Sequence, residues 1–260
     1  MSKVIAVANQ KGGVGKTTTS VNLCASLAAA KRRMLLVDLD PQGNATMGSG
    51  VDKRTVAASS YDVLMGEKSV RESTVAVDSC EYTLLPGNSD LTGAEVSLLD
   101  EIGRELRLRH ALREIRDSYD YIIVDCPPSL NMLTVNALVA ADTVMIPMQC
   151  EYYALEGLSA LLETIEKVRD LLNPDLRVEG LLRTMYDPRN NLATQVSAQL
   201  IKYFGDRVYS TVVPRNVRLA EAPSHGLPAL LYDKKSSGAL AYLALAGEVL
   251  RRDGEPPRVQ

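Results

Sequence analysis

The chain has 260 residues, 46% of them hydrophobic, and a formal net charge of −3. That length and apolar content suffice for one large α/β domain with a real core and exclude a disordered chain, and the slightly acidic charge excludes one that coats nucleic acid with its whole surface. With no tryptophan, one phenylalanine and 11 tyrosines, the core falls to valine, leucine, isoleucine and alanine, which suits a parallel sheet covered by helices.

The first predicted strand is residues 4–8, Val4-Ile5-Ala6-Val7-Ala8. Met1-Ser2-Lys3 leads straight into it, so no signal peptide is expected. Lys11-Gly12-Gly13-Val14-Gly15-Lys16-Thr17-Thr18 comes next, and a small-residue helical run at 21–30 follows it. Strand, glycine loop and helix form the setting of a phosphate-binding loop. Glycines let backbone N–H groups curl around phosphate oxygens, and the helix, starting at about Thr17, points its positive end at the anion. Lys16 is placed to reach the β- and γ-phosphates, and the Thr17 hydroxyl to ligate Mg²⁺. Gln10 stands where the usual pattern has its first glycine, and a second lysine, Lys11, sits at the front of the loop.

A second strand, 34–37, runs into Asp38-Leu39-Asp40-Pro41-Gln42-Gly43-Asn44-Ala45-Thr46. Two carboxylates at a strand end, followed by an irregular loop, are suited to orienting water in phosphoryl transfer. Residues 49–80 are polar and weakly periodic, and read as a surface excursion with a short helix at 61–65. Further strands are predicted at 83–85, 121–124, 143–147, 178–185 and 208–213. Between them lie helical periods, such as Leu158, Leu161, Leu162, Ile165, Val168 and Leu172, and an arginine-rich amphipathic stretch containing Leu106, His110, Leu112, Ile115 and Arg116. The strand at 121 ends in Asp125-Cys126-Pro127-Pro128-Ser129, a Walker B pattern whose carboxylate holds Mg²⁺ directly or through water. Strands alternating with helices predict a doubly wound, mostly parallel α/β sheet with helices on both faces.

Cys24, Cys80, Cys126 and Cys150 contain no C-x-x-C pair, so reduced thiols are expected rather than disulfides or zinc. No apolar run reaches the ~18 residues of a membrane span. No linker divides the chain, which reads as a single domain over 1–252 with a polar tail at 253–260.

The three phosphate-site motifs together resemble the deviant Walker A class of P-loop NTPases, the MinD/ParA ATPases. Gln149-Cys150-Glu151-Tyr152-Tyr153-Ala154-Leu155-Glu156-Gly157 and Pro214-Arg215-Asn216-Val217-Arg218-Leu219-Ala220-Glu221-Ala222-Pro223-Ser224 look like the chromosomal ParA/Soj branch. The resemblance implies an ATP- and Mg²⁺-dependent ATPase that works as a nucleotide-sandwich homodimer. Lys11 matches the signature lysine that reaches the partner's phosphates, and Gly12 lies where the two backbones approach. Gly13, Val14, Gly15, Lys16, Thr17 and Thr18 complete the phosphate cradle. Asp40 matches the water-positioning carboxylate, Asp38 a second carboxylate near Mg²⁺, and Met185, Pro214 and Asn216 the surroundings of the adenine.

The family also implies sequence-blind binding of double-stranded DNA by the ATP dimer, at Arg189 and Arg218. Residues 201–260 carry nine lysines and arginines against six acids. A ParB/Spo0J-type centromere-binding partner is implied as the stimulator of hydrolysis, a nucleoid-associated cytoplasmic location follows, and the Soj branch adds control of replication initiation. Three rivals stand beside this reading. One is a ParA-like factor positioning a non-DNA cargo. Another is a MinD-like membrane ATPase, disfavoured by the polar, proline-broken tail. The third is a reductase like the nitrogenase iron protein, which needs two cluster-bridging cysteines per subunit. Arg183, a charge inside a predicted strand, is expected to mark an exposed sheet edge.

Overall fold

The structure is a computed structural model and describes residues 2–152 and 154–254. The side chains of Leu155 and Glu156 are also outside the description, as is most of the expected polar tail. Eight strands form one sheet: β1 (Lys3–Val7), β2 (Met34–Asp38), β3 (Val75–Val77), β4 (Tyr82–Leu85), β5 (Tyr121–Asp125), β6 (Thr143–Gln149), β7 (Arg177–Tyr186) and β8 (Val208–Pro214). Their order is β3-β4-β2-β5-β1-β6-β7-β8, with every pairing parallel except β3 with β4. The doubly wound sheet expected from the alternation is therefore present, and each predicted strand is found within a residue or two of its bounds.

Alternation along β1 divides the core. Val4 and Ala6 face one apolar cluster, with the helix Ala154–Leu171 packed there through Leu158, Leu161, Ile165 and Val168. Ile5 and Val7 face the other, built on the helices Lys16–Ala29 and Ser237–Arg252. Covered on both faces, the central strands are continuous apolar runs rather than alternating ones. In register, Asp38 of β2 pairs directly with Asp125 of β5, and Val7 of β1 lies on the other side of Asp125. The carboxyl ends of three central strands thereby converge, the place where ligands bind in such sheets.

The excursion at 49–80 is more structured than expected. It holds the helix Ser60–Met65, as predicted, and also Val70–Ser73 and the edge strand β3. Both helices open with capping boxes, Ser59 with Asp62 and Ser69 with Glu72, a signal legible in the sequence. β3 has three residues, too few to establish a period.

Arg183 does not mark an edge. It is buried at 8% exposure on β7, which lies between β6 and β8. The β7–β8 pairing slips between Leu181 and Arg183 on β7, opposite Val208 and Val212 on β8, so β8 bulges there. A bulge strips backbone groups of their ladder partners. Arg183 donates to the carbonyls of Tyr209 (2.8 Å) and Ser210 (3.2 Å) and to Ser197 Oγ (2.9 Å). Glu248 accepts from the amides of Ser210 and Thr211, both at 2.9 Å. The two charged side chains replace the lost ladder bonds. Arg183→Met keeps the aliphatic volume but orphans two carbonyls, and urea unfolding should show a loss of about 2–4 kcal/mol; a wild-type midpoint would mean that the bulge does not depend on the guanidinium.

Candidate nucleotide site

The loop between β1 and the helix Lys16–Ala29 is shaped by glycine and pinned by two side chains. Gly13 and Gly15 have φ of 72° and 87°, which residues with a Cβ rarely adopt. As N-cap, Gly15 has no side chain to accept from the first-turn amides, so those donors are left to an anion. Asn9 donates to the Pro147 carbonyl (2.8 Å) and accepts from the Lys11 amide (3.0 Å), and Thr184 Oγ1 donates to the Val14 carbonyl (2.7 Å). Neither pinning residue stood out in the sequence, because each acts through a neighbouring strand.

Lys16 is 6% exposed and its Nζ lies 3.1 Å from the Lys11 carbonyl, folded across the loop. Burial pulls its ammonium below the ordinary lysine range, against the opposing pull of Asp125 and Asp40. Lys11 behaves differently. It is exposed at the rim and forms an ion pair with Glu151 in the loop after β6. Gly12 has open space where a Cβ would be added.

Asp38 and Asp125 are fully buried. Asp125 accepts from Thr17 Oγ1 (2.8 Å) and Ser20 Oγ (2.7 Å). Asp38 accepts from the Asp40 amide (3.1 Å) and from the Thr46 amide (2.8 Å) and hydroxyl (2.7 Å). Burial pushes both carboxyls above the usual range, and at Asp125 the charge of Asp38 adds to the effect. Gly87 closes the site, because a Cβ there would stand 2.7 Å from the Asp38 carbonyl and 2.9 Å from its Cγ. Among the described residues no cluster of three or more His, Cys, Asp or Glu could hold a metal by itself.

Two adjoining cavities share Gly15, Thr18 and Met185. The first, of about 340 Å³, is lined by the loop from Gly12, by Lys16, Thr17, Asp40 and Gln42, and by Pro128. The second, of about 230 Å³, is lined by Met185, Pro214, Arg215, Asn216 and Tyr242. Met185, at the seam, holds φ +48° and accepts from Gln149 Nε2 at its sulfur. Strain of that kind in a non-glycine residue gathers at ligand sites. All three expected adenine neighbours therefore line one cleft. The side-chain Oδ1 of Asn216 already caps the helix Val217–Glu221 by accepting from the Arg218 and Leu219 amides, and its Nδ2 donates to Ser237 Oγ.

A family model described as an AAA domain matches residues 2–178. The sporulation initiation inhibitor protein Soj of Bacillus subtilis is 56% identical over 249 residues, 96% of this chain and 98% of its own length. The chromosome partitioning protein ParA of Myxococcus xanthus is 53% identical over 253 residues, 97% of this chain and 89% of its own. This chain belongs to the ParA/Soj family of chromosome-partitioning ATPases. A solved structure described as cobyrinic acid a,c-diamide synthase from Mycobacterium smegmatis with bound ADP and magnesium is 39% identical, with a TM-score of 0.86 and full coverage of both chains.

Within this ParA/Soj chain the two expected DNA residues lie outside the cavities, Arg189 on the loop after β7 and Arg218 in the short helix Val217–Glu221 that follows β8. Arg189 and Arg218 are exposed, and each is paired with carboxylates of its own subunit. Arg252, one of the basic residues near the C-terminus, is structural, stacking 4.0 Å over Tyr209 and pairing with Glu248. All four cysteines are buried and burial pushes each thiol up, so none is a poised thiolate. Cys126 and Cys150 are not presented at a surface where two subunits could share a cluster. No helix among the described residues is long and apolar enough to cross a membrane.

The raised carboxyls have a consequence for pH. The folded chain keeps a proton that the unfolded chain releases, so the metal-free protein loses stability as pH climbs from about 4 toward 8. Asp125→Asn removes one of the pair. In the absence of Mg²⁺ this variant should melt above wild type at pH 8, with the gap closing toward pH 4; equal melting temperatures at pH 8 would contradict the burial argument.

Proposed function

We propose that the chain is a slow ATP-driven switch for DNA segregation, built as one ATPase domain over residues 1–252. ATP and Mg²⁺ are its cofactors. The phosphates lie in the loop cavity against Lys16 and the amides from Gly13 to Thr18, and the base enters the adjoining cleft beside Met185, Pro214 and Asn216. Thr17, Asp38 and Asp125 would hold Mg²⁺. The donor set fits a hard cation that takes oxygen ligands and completes its shell with water and phosphate. Two buried carboxylates disfavoured by burial and by one another are a setting that a dication relieves. Bound Mg²⁺ supplies charge neutralisation along the phosphate chain. Asp40 orients the attacking water.

The observation that carries the dimer reading is the contrast between the two lysines. Lys16 is buried and fills the inward position, whereas Lys11 stands exposed at the rim, outside its own cradle. A cation delivered from a second subunit would stabilise charge on the transferring phosphoryl, as an arginine finger does. Gly12 supports the same reading. Neither backbone strain nor a neighbour within the subunit requires a glycine there, and the open space at that position leaves room for a second backbone to approach. Gly12→Val should leave ATP binding to the subunit intact and abolish ATP-dependent pairing in light scattering; a variant that still pairs would remove Gly12 from the interface.

The ATP-bound pair binds double-stranded DNA through Arg189 and Arg218 without reading sequence, which places it on the nucleoid. A ParB/Spo0J-type partner stimulates hydrolysis and releases it, and control of replication initiation is a second output of the same switch. Binding to random-sequence duplex with ADP, ATP and a non-hydrolysable analogue tests this. Two arginines per subunit give four phosphate contacts per pair and a log–log salt slope of about −3.6. Binding is expected to be far tighter with ATP or the analogue than with ADP, and absence of DNA binding in every nucleotide state would favour a non-DNA cargo.

A further inference from the structure

Both arginines assigned to DNA are already engaged by carboxylates of their own chain. Arg189 Nε and Nη2 lie 2.9 and 2.8 Å from the two oxygens of Asp187, a two-pronged pair. Arg218 Nη1 lies 2.8 Å from Glu221, and its Nε 3.3 Å from Asp233. Arg215 is exposed and close enough to Asp187 to act on the same carboxyl, which Arg189 chiefly holds down to about 2. The segments that leave β7 and β8 start side by side, because Tyr186 pairs with Pro214; the first carries Asp187 and Arg189, the second Arg215 and the helix Val217–Glu221, and Asp233 follows the helix Ala229–Tyr232. Three arginines thus meet three carboxylates on one face. Lys234 and Lys235 follow Asp233, and His225 stacks on Tyr232 at 4.9 Å.

The local structure does not need the negative charges. Asp187 accepts from the Arg189 amide (3.0 Å), Glu221 from Tyr232 Oη (3.3 Å) and Asp233 from the Lys235 amide (3.2 Å). A side-chain amide oxygen could accept each of these bonds. What only a carboxylate provides is neutralisation of the arginines.

We propose that Asp187, Glu221 and Asp233 form a charge guard that keeps a single subunit off DNA. The proposal rests on the reading that Arg189 and Arg218 contact phosphate. Each phosphate contact then replaces ion pairs already made, one at Arg189 and two at Arg218, and leaves the displaced carboxylates beside the DNA backbone, so a lone subunit gains little. A pair of subunits doubles the contacts on one duplex, and the second set binds at high effective concentration. The guard thereby couples DNA affinity to pairing with no movement of the DNA face itself.

The test compares wild type, the amide variant Asp187→Asn/Glu221→Gln/Asp233→Asn, and Arg189→Glu/Arg218→Glu on random-sequence duplex, each with ADP and with the non-hydrolysable analogue. With ADP, at roughly 50 mM salt, the amide variant should bind about tenfold more tightly than wild type, and the gap should narrow toward roughly 200 mM. Wild-type affinity in the amide variant, with binding lost in the arginine-reversed protein, would overturn the guard and leave the DNA face standing. Unchanged binding in the arginine-reversed protein would overturn the DNA face, and the guard with it. Thermal melting checks folding, and Asp187→Asn alone, in an exposed turn, serves should the triple variant not fold.

Discussion

Two carboxylates are forced into the dry centre of this sheet. Asp38 and Asp125 stand opposite one another at the carboxyl ends of adjacent strands, fully buried. Burial in a medium of low dielectric disfavours their ionised forms, and proximity makes each worse for the other. The surroundings answer this. Thr17 and Ser20 donate to Asp125, and Thr46 and the Asp40 amide to Asp38. Gly87 leaves room for Asp38 where any other residue would collide with it. The phosphate loop, the loop after β2 and the loop after β4 are all positioned by contact with this pair. A structure that holds two anions so close gains little from them alone, and its arrangement makes sense around a cation and a nucleotide.

The same economy separates inward from outward chemistry. Lys16 is buried and committed to its own cavity. Lys11, Arg189 and Arg218 are exposed, and each rests against a carboxylate of its own chain. Exposed pairs of this kind contribute little to folding. They offset the charge of these particular side chains at the surfaces where other molecules are proposed to arrive. Pairing within the chain and pairing with a partner or a phosphate are therefore alternatives for the same side chains.

Much of the fold could be read from residues. Apolar runs ending in Asp38 and Asp125 placed two central strands and their polar ends. The lysine-flanked glycines placed the loop and its helix, and the periodicity from Leu158 to Leu172 placed another helix. These features are local: a strand buried on both faces needs a continuous apolar run, and a turn at positive φ favours glycine. β3 escaped because three residues carry no period. Arg183 was misjudged because the bulge it repairs lies on another strand, twenty-six residues away in sequence at Tyr209.

The sequence by itself determined the sheet, the phosphate loop and the identity of the charged groups around it, because each depends on spacing within a few residues. Only the tertiary structure decided how those charges are used. It placed Asp38 against Asp125, turned Lys16 inward and Lys11 outward, brought Met185 and Pro214 into one cleft, and covered Arg189 and Arg218 with carboxylates. Burial and pairing are set by what the rest of the chain packs beside a residue, and no local pattern of letters carries that information.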